Sequence, residues 1–464
     1  MTDLFDKTSD MKEQPVLRFH EGTLVLEGWT GEKDPPFFDW DPRTKQWRTL
    51  ATHYQKILDI FSRNRFKFVD KACQFEPCDF KWNLEFDPFP FQKEAVDAWI
   101  RAGKRGSIVL PTGSGKSFVA LDVMHRIQTS ALVVCPTLDL MFQWYDRITD
   151  AFAMETGLLG GRYHEIRSVT VTTYDSAYRH MDRYGNRFGL LIFDEIHHLP
   201  ASSYRQIPEL SLAPYRLGLT ATYKRSDSRH VDLNHLVGEV VYQKEIRDMA
   251  GEFLADYEIH RIRIPLTEEE KSDYQQRNMT YSSYVRDQQV RFYGDKWKTF
   301  ISQSGYSPDA RKAMLARKAM RHIVFGAEKK LEILESLLKQ HTHDRVIIFT
   351  EDNALVYKIA ETYFIPALTH QTEKTERKEM LQAFREGRYR YLVTSKVLNE
   401  GVDVPEANVA IILSGSASAT EYLQRLGRIL RKKSKKTALL YEIVAEGTKE
   451  TNISYRRRQS HADE

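Results

Sequence analysis

The sequence predicts an α/β protein built on two parallel sheets, with a small α+β segment ahead of them and a helical insertion in its second half. Three observations predict it. Short apolar runs rich in β-branched residues recur along the chain, helical patterns separate them, and the runs fall into two sets. Continuous runs of about four to six residues suit strands buried on both faces, as in a parallel sheet covered by helices. Alternation of such strands with helices gives the α/β class.

The first set is Ser107–Leu110, Ala131–Val134, Val169–Thr172, Leu190–Phe193 and Arg216–Leu219. The second is Val346–Phe349, Tyr391–Thr394, Val409–Leu413 and Ala438–Ile443. Amphipathic patterns predict helices at Phe118–Ile127, Leu140–Ile148, Leu355–Tyr363 and Glu376–Phe384. The leading segment mixes a strand-like piece, Thr23–Glu27, with a helix expected over Thr49–Arg63. The expected domains are 1–85, 86–255 and 256–464, the last holding a long, polar, helical insertion at about 267–323. A chain of 464 residues is long enough for about three domains.

A hydrophobic share of 41% and a charged share of 28% exclude a mainly disordered or collagen-like chain. The net charge of +4 is no argument for a polyanionic partner as a total. Its placement is: residues 271–330 carry 13 basic and 5 acidic side chains, and residues 421–464 carry 11 and 6, so the remainder is slightly acidic. Three cysteines, Cys73, Cys78 and Cys135, cannot form a disulfide framework, which points to a reducing compartment. Cys73 and Cys78 lack the further cysteines of a structural zinc site. The start shows no apolar signal core, and no run approaches the roughly 20 apolar residues that span a bilayer. A soluble intracellular protein with no membrane partner is expected.

Leu110-Pro-Thr-Gly-Ser-Gly-Lys-Ser117 follows a predicted strand and opens a predicted helix. In that context Thr112, Gly113, Ser114 and Gly115 form a loop whose amides face a phosphate chain, on the positive end of a helix. Lys116 would reach the β- and γ-phosphates and Ser117 would ligate Mg²⁺. Leu110 stands where the usual pattern begins with glycine. Some 80 residues on, Leu190-Leu-Ile-Phe-Asp-Glu-Ile-His197 is a buried strand ending in two carboxylates. Asp194 suits the Mg²⁺ shell, and Glu195 suits the task of activating a water. His197 and His198 lack the spacing of a zinc peptidase. ATP and Mg²⁺ are the expected cofactors.

Further motifs keep the same order: Val134-Cys-Pro-Thr137, Thr172-Thr-Tyr-Asp175, Gly218-Leu-Thr-Ala-Thr222, Val346–Thr350, Asn399-Glu-Gly-Val-Asp-Val-Pro405 and Gln424-Arg-Leu-Gly-Arg-Ile-Leu-Arg431. Together they resemble superfamily 2 helicases over about 86–435. Asp194-Glu-Ile-His-His-Leu-Pro200, Ser414-Gly-Ser416 and Gln424–Arg431 resemble the XPB family in its short archaeal form. That resemblance implies two RecA-like domains, a damage-recognition-like domain over 1–85 and a thumb-like insertion. It implies an ATP-dependent DNA helicase or translocase acting in repair, of the nucleotide excision type, or in transcription.

By the same resemblance Gln92 would read adenine, although Phe89 replaces the basic residue usual three positions earlier. Gly401 and Asp403 would join the nucleotide site, and Gln424, Arg428 and Arg431 would serve catalysis, the arginines as a finger within one chain. Thr220 and Thr222 would couple the nucleotide to domain closure. Thr137, Thr173, Thr394 and Arg225 would contact DNA. Arg225-Ser-Asp227 carries serine where the family has a central glutamate. In the basic insertion, aromatics from Tyr274 to Tyr306 interleave with cations, and Tyr293 and Trp297 are the expected base-stacking residues. A solvated basic face over packed aromatics is the other reading of that segment. The aromatics of residues 1–85 read equally as a small core.

The expected partners are forked, single-stranded or distorted DNA and a nuclease, the motor itself being monomeric. A cytoplasmic or nucleoid location is implied for an archaeal protein, a nuclear one for a eukaryotic protein. An RNA helicase, an ATP-gated scaffold that recruits a nuclease, and a restriction-type motor subunit are the rival readings; the last lacks a nuclease motif.

Overall fold

The apolar runs become the strands of two parallel sheets. The computed structural model describes residues 14–31, 33–85, 87–221, 223, 231–249, 257–288, 295–395, 407–414 and 437–454. They form two compact units. One holds the residues up to 244 except 111–114, and the other holds 111–114 and the residues from 245 onward.

The first unit opens with a small mixed sheet: β1 (Val16–His20), β2 (Thr23–Glu27), β3 (Asp39–Asp41), β4 (Gln46–Leu50) and, after helix α1 (Tyr54–Arg63), β5 (Val69–Asp70), in the order β3-β4-β2-β1-β5. The α1 helix is shorter than expected. Thr49 pairs with Leu24 across β2 and β4, and a 3₁₀ turn, Ala51–His53, separates strand from helix. Helix α1 buries Tyr54, Ile57 and Phe61, the spacing of one helical face, against Leu17, Leu24 and Leu26 of the sheet. Most aromatics of this segment are core, whereas Phe37 and Trp40 are exposed.

The chain then passes along the next sheet rather than through solvent. Asn186 Nδ2 donates to Ala72 O (2.8 Å), Ser130 N to Glu76 O (2.7 Å) and Phe80 N to Gln128 Oε1 (2.9 Å). Arg216, fully buried, donates to Leu236 O (2.6 Å), Pro208 O (2.9 Å), Ala213 O (3.2 Å) and Thr52 Oγ1 (3.1 Å). It thereby ties the small sheet to the large one. A buried guanidinium is tolerated because its fork of donors meets fixed oxygens.

The large sheet of this unit follows. Its elements are α2 (Pro90–Arg101), β6 (Arg105–Val109), α3 (Lys116–Ile127), β7 (Ala131–Cys135), α4 (Leu138–Phe152), β8 (Gly157–Gly160), β9 (Tyr163–Glu165), β10 (Val169–Thr173), α5 (Tyr174–Tyr184), β11 (Leu190–Asp194), α6 (Gln206–Glu209), β12 (Tyr215–Thr220), α7 (Val231–Leu236) and β13 (Val240–Gln243). The strand order among the described residues is β13-β6-β12-β11-β7-β10-β8-β9, parallel except at the β8–β9 hairpin.

The second unit runs α8 (Ile246–Met249), β14 (Tyr257–Ile264), α9 (Glu268–Asp287), α10 (Asp295–Gln303), α11 (Pro308–Phe325), α12 (Glu328–Gln340), β15 (Val346–Phe349), α13 (Asn353–Tyr363), β16 (Ala367–Leu368), α14 (Lys374–Arg385), β17 (Tyr391–Thr394), β18 (Val409–Ile412) and β19 (Ala438–Ala445). Its described strands are all parallel, in the order β14-β19-β18-β15-β17-β16. The described residues of the basic segment are mainly helical, as expected. Helix α9 starts with a capping box, Thr267 Oγ1 accepting from Glu270 N and Glu270 Oε2 from Thr267 N.

The aromatics of this segment correct one expectation. Tyr274, Tyr281 and Phe300 are buried in the same core as Val346 and Ile348 of the sheet, so they are not available to stack on bases. Trp297 is only partly exposed; its ring packs against Phe300 and the Arg317 guanidinium covers it at 4.8 Å. The reading with a basic face over packed aromatics therefore describes these residues. Tyr306 is 75% exposed, and Arg311, Lys312 and Lys318 line the outer face of α11. No helix among the described residues is long and apolar enough to cross a membrane.

Candidate nucleotide site and strand-contacting edge

Motifs spread over more than 100 residues meet because the first large sheet is parallel and in register. Val109 lies opposite Thr220, Leu219 opposite Asp194, Phe193 opposite Val134, and Cys135 opposite Thr173. The carboxyl ends of β6, β12, β11, β7 and β10 thus share one edge, where parallel sheets of this kind bind ligands.

The phosphate loop leaves that edge from β6. Gly113 and Gly115 take left-handed backbone (φ 88° and 82°), which a side chain would disfavour. A Cβ on Gly115 would also stand 2.5 Å from Gln92 Nε2. Ser114 Oγ donates to Pro111 O at 2.8 Å, closing the turn, and Thr112 Oγ1 is buried without a hydrogen-bond partner. Lys116 Nζ donates to Leu110 O at 3.1 Å. Ser117 Oγ accepts from Arg147 Nη1 at 2.6 Å.

Gln92 is buried and packs beside the loop. Its Oε1 accepts from Phe89 N at 3.0 Å, which caps α2. Its amide nitrogen lies beside Gly115 of the loop.

Asp194 ends β11 and is buried. Trp144 Nε1 donates to its Oδ2 at 2.8 Å, and Glu195 N to its Oδ1 at 3.1 Å. Burial, then the adjacent Glu195 carboxylate, pushes the Asp194 carboxyl up from the ordinary range, while Trp144, Lys116 and Arg147 pull it back. Glu195 itself adopts a left-handed backbone (φ 50°), a strained choice for a residue with a Cβ. Its Oε2 is buried and makes no hydrogen bond, lying 3.4 Å from His197 Nδ1. His197 Nδ1 also contacts Thr220 Oγ1 at 3.1 Å, which joins the acidic motif to the end of β12. Tyr174, fully buried, donates to Asp194 O at 3.1 Å and holds the strand end.

The hard oxygens of Ser117 and Asp194, with the left-handed glycines and Lys116, fit a Mg²⁺–triphosphate. Among the described residues no group of three or more His, Cys, Asp or Glu side chains could hold a metal by itself.

Thr137 and Thr173 are both helix N-caps. Their hydroxyls accept from Leu140 N and Ser176 N (3.3 Å each). Beside them opens a cleft of about 490 Å³ whose lining includes Arg162, His164, Thr173, Arg179 and His180. Two helix N-termini and the guanidiniums of Arg162 and Arg179 suit an anionic backbone, with Asp175 the one acid in the lining. Thr394 does not share that position. It is fully buried in β17 between β15 and β16, its hydroxyl donating to Ser395 O, so it is not placed to touch a strand. Thr222, Arg225, Ser226, Asp227, Tyr293, Gly401, Asp403, Gln424, Arg428 and Arg431 lie outside the described residues. Trp144, Arg147, Tyr174 and His197 are site residues that sequence reasoning missed.

Comparison with known proteins identifies the family. The family "Type III restriction enzyme, res subunit" matches residues 85–225, "Helicase conserved C-terminal domain" matches 329–433, and "Xeroderma pigmentosum group B helicase damage recognition domain" matches 17–72. The DNA 3'-5' translocase XPB2 of Sulfurisphaera tokodaii is 38% identical over 445 residues, covering 96% of this chain and 99% of that protein. The DNA 3'-5' helicase XPB of Kineococcus radiotolerans is 30% identical over 81% of this chain and 63% of its own length. The XPB2 subunit of the general transcription and DNA repair factor IIH of Arabidopsis thaliana is 28% identical over 93% of this chain, which spans 56% of that longer protein. Among solved structures, the Pyrococcus furiosus Hef helicase domain superposes with a TM-score of 0.54 at 16% identity, over 79% of this chain and 97% of that one, a likeness of fold alone. The chain belongs to the XPB family of superfamily 2 DNA helicases and translocases, enzymes that hydrolyse ATP.

Proposed function

We propose that the chain hydrolyses Mg²⁺-bound ATP to move in the 3'-5' sense along a DNA strand, and so opens or remodels duplex DNA in excision repair or transcription. The observation that carries this reading is the shared sheet edge, where Lys116–Ser117, Asp194–Glu195 and Thr220 meet a cleft flanked by Thr137 and Thr173. Lys116 grips the terminal phosphates, Ser117 and Asp194 hold the metal, and Glu195 activates water. When bound, Mg²⁺ neutralises charge on the phosphates. His197, through Thr220, relays the state of that centre to the following loop. Gln424, Arg428 and Arg431 stabilise charge on the transferring phosphoryl group. Residues 1–85 contact distorted DNA. The motor acts as a monomer, and strand cutting, where it occurs, belongs to a nuclease partner.

The test is ATP turnover with single-stranded DNA, duplex, forked DNA and RNA, with Lys116→Ala as control. Stimulation by DNA, and forked DNA above all, is expected; equal stimulation by RNA would overturn the DNA reading. Gly115→Ala adds a second test. Forcing a Cβ into left-handed backbone costs about 1–2 kcal/mol. Nucleotide affinity is expected to fall about tenfold, read by isothermal titration with a non-hydrolysable ATP analogue.

A further inference from the structure

Helix α4 turns two side chains toward the nucleotide site. Trp144 and Arg147 are three residues apart and therefore share a face. Trp144 holds Asp194 Oδ2 at 2.8 Å, and Arg147 Nη1 holds Ser117 Oγ at 2.6 Å. One helix face thus holds both groups that the proposed function assigns to Mg²⁺, Arg147 taking Ser117 and Trp144 taking Asp194.

The guanidinium occupies a lone pair of the Ser117 hydroxyl, as a metal ion in that place would. It cannot keep that contact once a divalent ion arrives, because Ser117 must turn its oxygen to the metal and two cations on one ligand repel. We propose that Arg147 is a built-in stand-in for the metal, holding Ser117 until Mg²⁺–nucleotide displaces it, and thereby weakening metal binding. This inference rests on the reading of Ser117 and Asp194 as the metal's oxygens.

The experiment measures binding to the full chain. A non-hydrolysable ATP analogue is titrated without divalent metal, and Mn²⁺ is then titrated into the complex by electron paramagnetic resonance. In Arg147→Met, Mn²⁺ is expected to bind about tenfold more tightly, since one charge-assisted hydrogen bond no longer has to be broken. Metal-free nucleotide affinity is expected to stay within about twofold. Arg147→Lys, which keeps charge without the planar fork, is expected to fall between, and serves if Arg147→Met does not fold. Unchanged or weaker Mn²⁺ binding overturns the proposal. So does a loss of metal-free nucleotide affinity, which would make Arg147 a phosphate ligand. Ser117→Ala separates the levels: if Mn²⁺ binds it as it binds the wild type, the metal assignment itself fails and the stand-in falls with it.

Discussion

Replacing Glu195 by Gln is expected to lower ATP turnover by about 10³-fold while leaving nucleotide affinity nearly unchanged. The reasons lie in the end of β11. Asp194 is committed, with both oxygens engaged by Trp144 and by the Glu195 amide. Glu195 is not: its Oε2 is buried without a hydrogen bond, and its backbone is held in the left-handed region. Strain retained at such a position is a mark of function, because a relaxed turn with glycine would cost less. Gln preserves the shape and removes the basic oxygen, so the loss falls on the chemical step and not on binding. Phosphate release and analogue binding, measured on the same preparation, separate the two. Loss of binding in parallel would make Glu195 a ligand and not a base.

The second large effect concerns stability. Lys330, at the start of α12, is fully buried. Its Nζ donates to Glu450 Oε1 and Oε2 (2.9 and 2.8 Å) and to the carbonyl of Leu413. Glu450 Oε2 in turn accepts from Ala445 N at 2.9 Å. The cluster pins a helix, the end of β18 and the turn after β19 at one point. Removing the cation alone strands a buried carboxylate, so Lys330→Ala is expected to cost about 3–5 kcal/mol in denaturant unfolding of the second unit. Lys330→Met with Glu450→Leu removes both charges and is expected to recover much of that loss. A single variant as stable as the wild type would show that water reaches the pair.

Much of the fold was legible because a strand buried on both faces leaves its mark in sequence. Leu190–Phe193 and Val346–Phe349 are apolar at every position, and all of these side chains are buried. Strands without that mark were missed. Tyr257–Ile264 pairs parallel to β19 along eight residues, yet it lies at a sheet edge and keeps Glu258, His260 and Arg263 exposed, so it carries no apolar run. Tyr163–Glu165 is exposed throughout and exists only as the return of a hairpin. In the candidate site, loop glycines and acidic strand ends are local signals and were read. Trp144, Arg147 and the contact of His197 with Thr220 depend on which face of an element meets which edge, and tertiary register alone decides that. The aromatics of the basic insertion show the converse error. Their interleaving with cations suggested stacking, whereas Tyr274, Tyr281 and Phe300 face inward because three helices must bury something against the sheet.

The buried Arg216 fork and the stretch from Ala72 to Phe80 have a mechanical consequence. The small N-terminal sheet is fastened to the motor sheet through carbonyls, amides and a shared core that includes Leu212, so it has no hinge of its own there. Trp40 on the edge strand β3 and Phe37 in the turn before it, both exposed, are therefore carried by the same unit as Lys116 and Asp194. What those rings touch is thus borne on the body that holds these two residues.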